Sequence, residues 1–136
     1  MAVPGLSLHH VSVVVTDIER SRQFYVEMFG LEMLPRPKFD SVGLWLGAGP
    51  LQVHVIQSQA GTFRPKSIAS TVDTHFAFRT SDFDGFIAHA TALGFREDAA
   101  EGDPKRLMMR RHGPAGFPQV FLLDPDNNII EVNGAP

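Results

Sequence analysis

HVSVVVTD at residues 10–17 returns at residues 75–82 as HFAFRTSD. Each copy runs from His to Asp in seven steps, with apolar residues at the first and third. Apolar residues alternating with polar ones, and rich in Val and Phe, read as half-buried strands. An amphipathic stretch follows each Asp: IERSRQFYVEMFGL at 18–31 and FDGFIAHATALGF at 83–95. Asp17 and Asp82, or the Thr16 and Ser81 before them, are N-cap residues, and Gly30 and Gly94 fall where a helix ends in a left-handed residue. Phe24 with Met28, and Phe86 with Ala90, lie four apart and share a helical face.

Short strand-like pieces come next in both halves. They are LEML (31–34), VGLWL (42–46) and LQVHVI (51–56), then FRED (95–98), RLMMR (106–110) or QVFLL (119–123), and IIEV (129–132). The turns GAGP (47–50) and DPDNN (124–128) separate the last two pieces of each half, as in a hairpin. The chain therefore predicts a single α+β domain, 1–136, of two βαβββ modules. Module 1 covers about 6–57, a polar linker 58–71, and module 2 about 72–134. Residues 98–118, rich in Gly, Pro and charge, form the longest irregular region.

Composition bounds the function. A chain of 136 residues with 43% apolar and 20% charged residues suits one folded domain. A net charge of −3, with RLMMRR at 106–111 as the only dense basic run, offers no field for nucleic acid. No apolar run approaches the roughly 20 residues of a membrane span. MAVPGLS at the start is not a signal peptide. The absence of cysteine excludes disulfides, thiol nucleophiles and thiolate metal sites, and is compatible with a cytoplasmic location.

Strand alternation assigns faces. His9, Val11, Val13 and Val15 share one face of the first strand, and His10, Ser12, Val14 and Thr16 the other. In the second copy Phe76 and Phe78 lie opposite His75, Ala77 and Arg79. The greasy faces pack under the helices, and the face carrying His10 and His75 lines a wet cavity. His9 matches Thr74 and points to the helix side. Gln52, His54 and Ile56 share a face of LQVHVI, and Glu131 lies with Ile129 and Asn133. Aligning the hairpins by their turns leaves a slip: Glu131 matches Gln52 or Val53 rather than His54, which a bulge or a different turn length would repair. His10, His75 and Glu131 form a two-imidazole, one-carboxylate set suited to Fe, Mn, Ni, Co or Zn, with His54 as a fourth ligand. Arg79, beside His75, is placed to hold an anionic substrate group, while Trp45, Phe117 and Arg110 are pocket-wall or strand-end candidates. His89 and His112 read as surface residues.

LHHVSVVVTDIERSRQFYVEMFGLEM, DTHFAF and DPDNNIIEVNG resemble the vicinal-oxygen-chelate superfamily, which includes glyoxalase I, fosfomycin-resistance thiol transferases, extradiol dioxygenases and bleomycin-binding proteins. The likeness covers nearly the whole chain. It implies paired βαβββ modules forming a cupped mixed sheet around a divalent metal, commonly as a homodimer, acting on a small molecule. By resemblance the ligands fall on His10, His75 and Glu131, and the fourth position, a carboxylate in glyoxalase-type members, offers His54 or Gln52. The activity implied first is glyoxalase-like isomerase or lyase chemistry, with the metal as Lewis acid and Glu131, or the residue at 52 or 54, moving a proton. Ring-cleaving oxygenation on Fe(II) comes next, then thiol transfer to an antibiotic. The rival outside enzymology is metal-free ligand binding of the bleomycin-resistance kind.

Overall fold

A computed structural model describes residues 4–64 and 66–136. The chain divides into two compact units, Met1–Gly61 and Thr62–Pro136.

The first unit runs β1 (His10–Val15), α1 (Ile18–Phe29), β2 (Glu32–Leu34), β3 (Gly43–Ala48) and β4 (Leu51–Gln57). Its sheet has the order β1-β4-β3-β2, with β1 parallel to β4 and the remaining pairs antiparallel. Asp17 starts α1 by accepting from the backbone N–H groups of Glu19 and Arg20, two donors a helix start otherwise leaves unpaired. Gly30 ends the helix at φ 63°, in the left-handed region that favours glycine. Ser21, Tyr25 and Met28 form the buried stripe, while Phe24 is only half-buried. That stripe belongs to the same core as Val13, Val15, Leu46, Val53 and Val55.

The second unit repeats the order: β5 (His75–Thr80), α2 (Phe83–Ala92), β6 (Met108–Arg110), β7 (Gln119–Leu123) and β8 (Ile129–Gly134). Its sheet runs β5-β8-β7-β6, again with the outer β5 parallel to β8. Asp82 caps α2 through the N–H of Gly85, and Gly94 follows the helix at φ 95°. Both faces of its long hairpin are buried. Val120, Leu122, Ile130 and Val132 lie on one, and Phe121, Leu123 and Ile129 cluster on the other with Ala69 and Met108.

Two expectations change. FRED is not a strand; Arg96 makes only an isolated parallel bridge to Arg106, and RLMMR and QVFLL supply both remaining strands. The hairpin slip resolves through turn length. β3 and β4 are joined by Gly49 and Pro50 alone, whereas residues 124–128 join β7 to β8. Register then makes the repeat consistent. Ser12, two residues past His10, pairs with His54, and Ala77, two past His75, pairs with Glu131. His54 and Glu131 are therefore equivalent positions.

Candidate functional site

In the first unit β1, β4 and β3 set three rings in a stack. His10 and His54 lie face to face with centroids 3.9 Å apart and planes 15° apart; Trp45, the cross-strand partner of His54, covers its other face at 4.5 Å and 5°. His54 is buried, and its Nε2–H donates to Gln52 Oε1 at 2.8 Å. Nδ1 then carries the lone pair. Burial holds the His54 pKa below the usual imidazole value, reinforced by His10, His9 and the Arg36 guanidinium, so the ring stays neutral. Arg36 donates to Ser41 O and Ser41 Oγ, each at 3.0 Å, and lies over the Phe39 ring. Gly43 leaves room for it, since a Cβ there would sit 2.9 Å from Arg36 Nη2.

His9 departs from the alternation reading. Its carbonyl accepts from the Gln52 N–H at 3.1 Å at the very start of the β1–β4 pairing, but its ring turns to its neighbour, with Nδ1 2.9 Å from Nδ1 of His10. One of the two nitrogens carries the proton and donates to the other. His9, His10 and His54 bring one potential ligand atom each within 4.8 Å of one another.

The second unit gathers a different set on the equivalent face. His75 Nδ1–H donates to the backbone carbonyl of Asp73 at 2.8 Å, which fixes the ring and leaves Nε2 pointing outward. That nitrogen faces Glu131 Oε1 at 3.5 Å. Glu131 is buried, and both its oxygens accept: Oε1 from Gln119 Nε2 at 3.3 Å, Oε2 from Asn133 Nδ2 at 2.7 Å. Arg79 Nε donates to Asn133 Oδ1 at 2.8 Å, and its guanidinium lies over the Phe117 ring at 4.5 Å. Asp73, which positions His75 through its carbonyl, is tied to Arg64 by two hydrogen bonds of 2.7 and 3.1 Å; these hold its carboxyl below the usual carboxylate range.

The donor chemistry fits a divalent transition ion. With Nδ1 held by the Asp73 carbonyl, His75 turns Nε2 toward a Glu131 carboxylate oxygen, so an imidazole nitrogen and a carboxylate oxygen stand side by side as two donor atoms for one cation. Bond lengths of about 2.0–2.2 Å at a tetrahedral ion place neighbouring N and O donors about 3.4 Å apart. The observed 3.5 Å separation matches that spacing.

The structure thus brings His10, His54, Gln52 and Trp45 together in the first unit, and His75, Glu131, Arg79 and Phe117 in the second. Arg110 lies at the exposed end of β6, opposite Gln119 in register. Sequence reasoning missed His9 and Arg36, and gave no role to Gln119, Asn133 or Asp73. Cross-strand register would have supplied Gln119 and Asn133, which pair between β7 and β8, but that register could not be read from pattern. Arg36 sits in an aperiodic, Pro-flanked loop that gives no signal.

Paired βαβββ modules with imidazole and carboxylate donors on equivalent faces define a class of α+β proteins. A sequence profile of the glyoxalase/bleomycin resistance protein/dioxygenase superfamily matches residues 7–132, and the chain belongs to that family. It is 26% identical over 128 residues to Glyoxylase I 4 of Arabidopsis thaliana, covering 93% of this chain and 69% of that protein. It is also 26% identical over 132 residues to the glutathione transferase FosA of Serratia marcescens, covering 93% and 79% respectively. Among solved structures, a Bacillus anthracis protein assigned to the glyoxalase family superposes with a TM-score of 0.76 at 23% identity, covering all of both chains. Among the described residues no helix is long and apolar enough to cross a membrane.

Proposed function

We propose that the protein is a divalent-metal-dependent enzyme that chelates vicinal oxygens of a small substrate and performs glyoxalase-like isomerase or lyase chemistry. His10, His54, His75 and Glu131 are the ligands. The observation that carries this reading is the His75–Glu131 pair, with Nε2 and Oε1 side by side at 3.5 Å and each partner held by hydrogen bonds from behind. When bound, the ion supplies Lewis acidity toward the two substrate oxygens and stabilises negative charge as it develops.

The chain's own residues do the rest. The Asp73 carbonyl holds the His75 ring by Nδ1 and turns Nε2 toward Glu131. Gln119 and Asn133 each donate to one oxygen of Glu131 and fix the orientation of its carboxylate as a ligand or proton acceptor. Arg79, steadied by Asn133 and Phe117, presents positive charge on the same sheet face for an anionic substrate group. His54, neutral and held by Gln52, replaces the carboxylate of strict glyoxalase-type sites, so the ligand set carries one negative charge.

Protein purified without chelator is expected to carry near-stoichiometric transition metal by elemental analysis, with His10→Ala and His75→Ala each losing most of it. Isomerisation of a hemithioacetal by the loaded protein, without oxygen uptake on catechols, would support the glyoxalase-like assignment. A wild-type protein that none of Fe, Mn, Ni, Co or Zn can load would sink it and leave a metal-free binder.

A further inference from the structure

We propose that His9 is a metal ligand, and that His9, His10 and His54 form a tri-imidazole site able to hold a borderline divalent ion with residues of the first unit alone. The inference rests on the metal-dependent reading only in taking His10 and His54 as ligands. It adds a residue that neither the internal repeat nor the strand pattern points to.

The argument starts from ring planes. An ion bound by an imidazole lies in the plane of that ring, along the nitrogen lone pair. His10 and His54 are stacked 3.9 Å apart and nearly parallel, so as they stand they do not aim at one point. His9 is edge-on to both, at 88° to His10 and 80° to His54. Its Nδ1 meets that of His10 at 2.9 Å, a hydrogen-bond distance in the metal-free chain. The same separation suits adjacent ligands of a six-coordinate ion, since two bonds of about 2.1 Å at a right angle put their nitrogens about 2.9–3.0 Å apart. Transfer of the shared proton to the donor ring's own Nε2 leaves both rings neutral and turns that hydrogen bond into a chelate edge. His54 completes the set: the three ligand atoms already lie within 4.8 Å, and closing to the about 3.0 Å of the same six-coordinate shell takes combined shifts of up to about 2 Å. His9 and His10 are exposed and have the rotamer freedom to supply them. Three neutral imidazoles with no carboxylate select Zn, Co, Ni or Cu over Mg, Ca or Mn, because softer nitrogen donors follow that order.

The chain carries its own reporter. Trp45 is the only tryptophan and is stacked on His54 at 4.5 Å, so an open-shell ion on that ring quenches its fluorescence. Co(II) titrations of the full-length protein, followed by Trp45 emission and Co(II) visible absorption, test the site in four chains: wild type, His9→Ala, His75→Ala/Glu131→Gln, and the triple variant. The expected result is that His75→Ala/Glu131→Gln still binds one equivalent of Co(II) with quenching. Adding His9→Ala should weaken that binding by at least roughly tenfold, since even outer-shell partners of a metal are worth 10–100-fold. Retention of Co(II) by the triple variant within twofold of the double variant overturns the proposal. Loss in His75→Ala/Glu131→Gln with no effect of His9→Ala also overturns it, but leaves the four-ligand centre standing. Dependence on His9 without dependence on His75 or Glu131 upholds it and removes that centre instead. His9→Gln, with far-UV circular dichroism on every variant, separates ligand loss from misfolding.

Discussion

At the scale of single residues, His54 is where burial and charge act in the same direction. Its ring lies between His10 and Trp45, and both burial and neighbouring cationic groups disfavour its protonated form. The folded pKa therefore lies below the unfolded value of about 6.5. Below that pH the unfolded chain takes up a proton that the folded chain resists. The stability associated with neutral His54 is thus complete above about pH 6.5 and is lost as pH falls toward the folded pKa. In chelator-treated protein, Tm measured from pH 8 to 5 is expected to fall on the acid side, and His54→Gln to flatten that fall. Parallel curves for the two proteins would show that His54 titrates alike in both states. The contrast with Glu131 is instructive: the equivalent register position carries a carboxylate there, saturated by two amides, and no imidazole stack.

At the scale of elements, the two strand–helix starts are the most locally determined features of the chain. Asp17 Oδ1 accepts from two backbone N–H groups at 3.1 Å each, and both go unsatisfied within the helix when the carboxylate is removed. Asp17→Ala is expected to cost about 1 kcal/mol, a drop in Tm of about 4 °C by thermal melt, with Asp17→Asn recovering most of it. These starts were legible because cap, helical period and glycine stop all fall within one short window, and each is set by neighbours in sequence. The sheets were less so. LQVHVI and IIEV declared themselves, but their equivalence was hidden by the short Gly49–Pro50 connection against the longer 124–128 turn, and only cross-strand register restores it. The second module's FRED failed as a strand because pattern cannot say which neighbour will pair with it. His9 was misassigned for a related reason: it stands at the edge of the pairing, where only its carbonyl joins the β4 ladder, and its ring turns to His10. His10, His75 and Glu131 were readable as chemistry because the repeat marked them, whereas Gln119, Asn133 and Asp73 act through amide and backbone groups that composition does not distinguish.

At the scale of the whole molecule, the repeat has kept one architecture and let its donors diverge. One sheet face offers imidazoles with a stacked indole, the other an imidazole and a carboxylate tied by amides to an arginine. A divalent ion bound by either set would tie together side chains carried on different strands. An ion that binds only the folded state stabilises it by RT ln(1 + [L]/Kd), about 2.7 kcal/mol when free metal exceeds Kd by a hundredfold. For a chain of this length that corresponds to a rise in Tm of about 10 °C. Zn(II) added to chelator-treated wild type is expected to produce that rise, and Ca(II) or Mg(II) to produce little, because nitrogen-rich sets bind the harder ions poorly. The order of effects among variants carries the information. His10→Ala, which removes a donor common to every ligand set proposed, should abolish more of the shift than His75→Ala. An undiminished Zn(II) shift in His10→Ala would show that the ion stabilises the fold from somewhere other than these two faces.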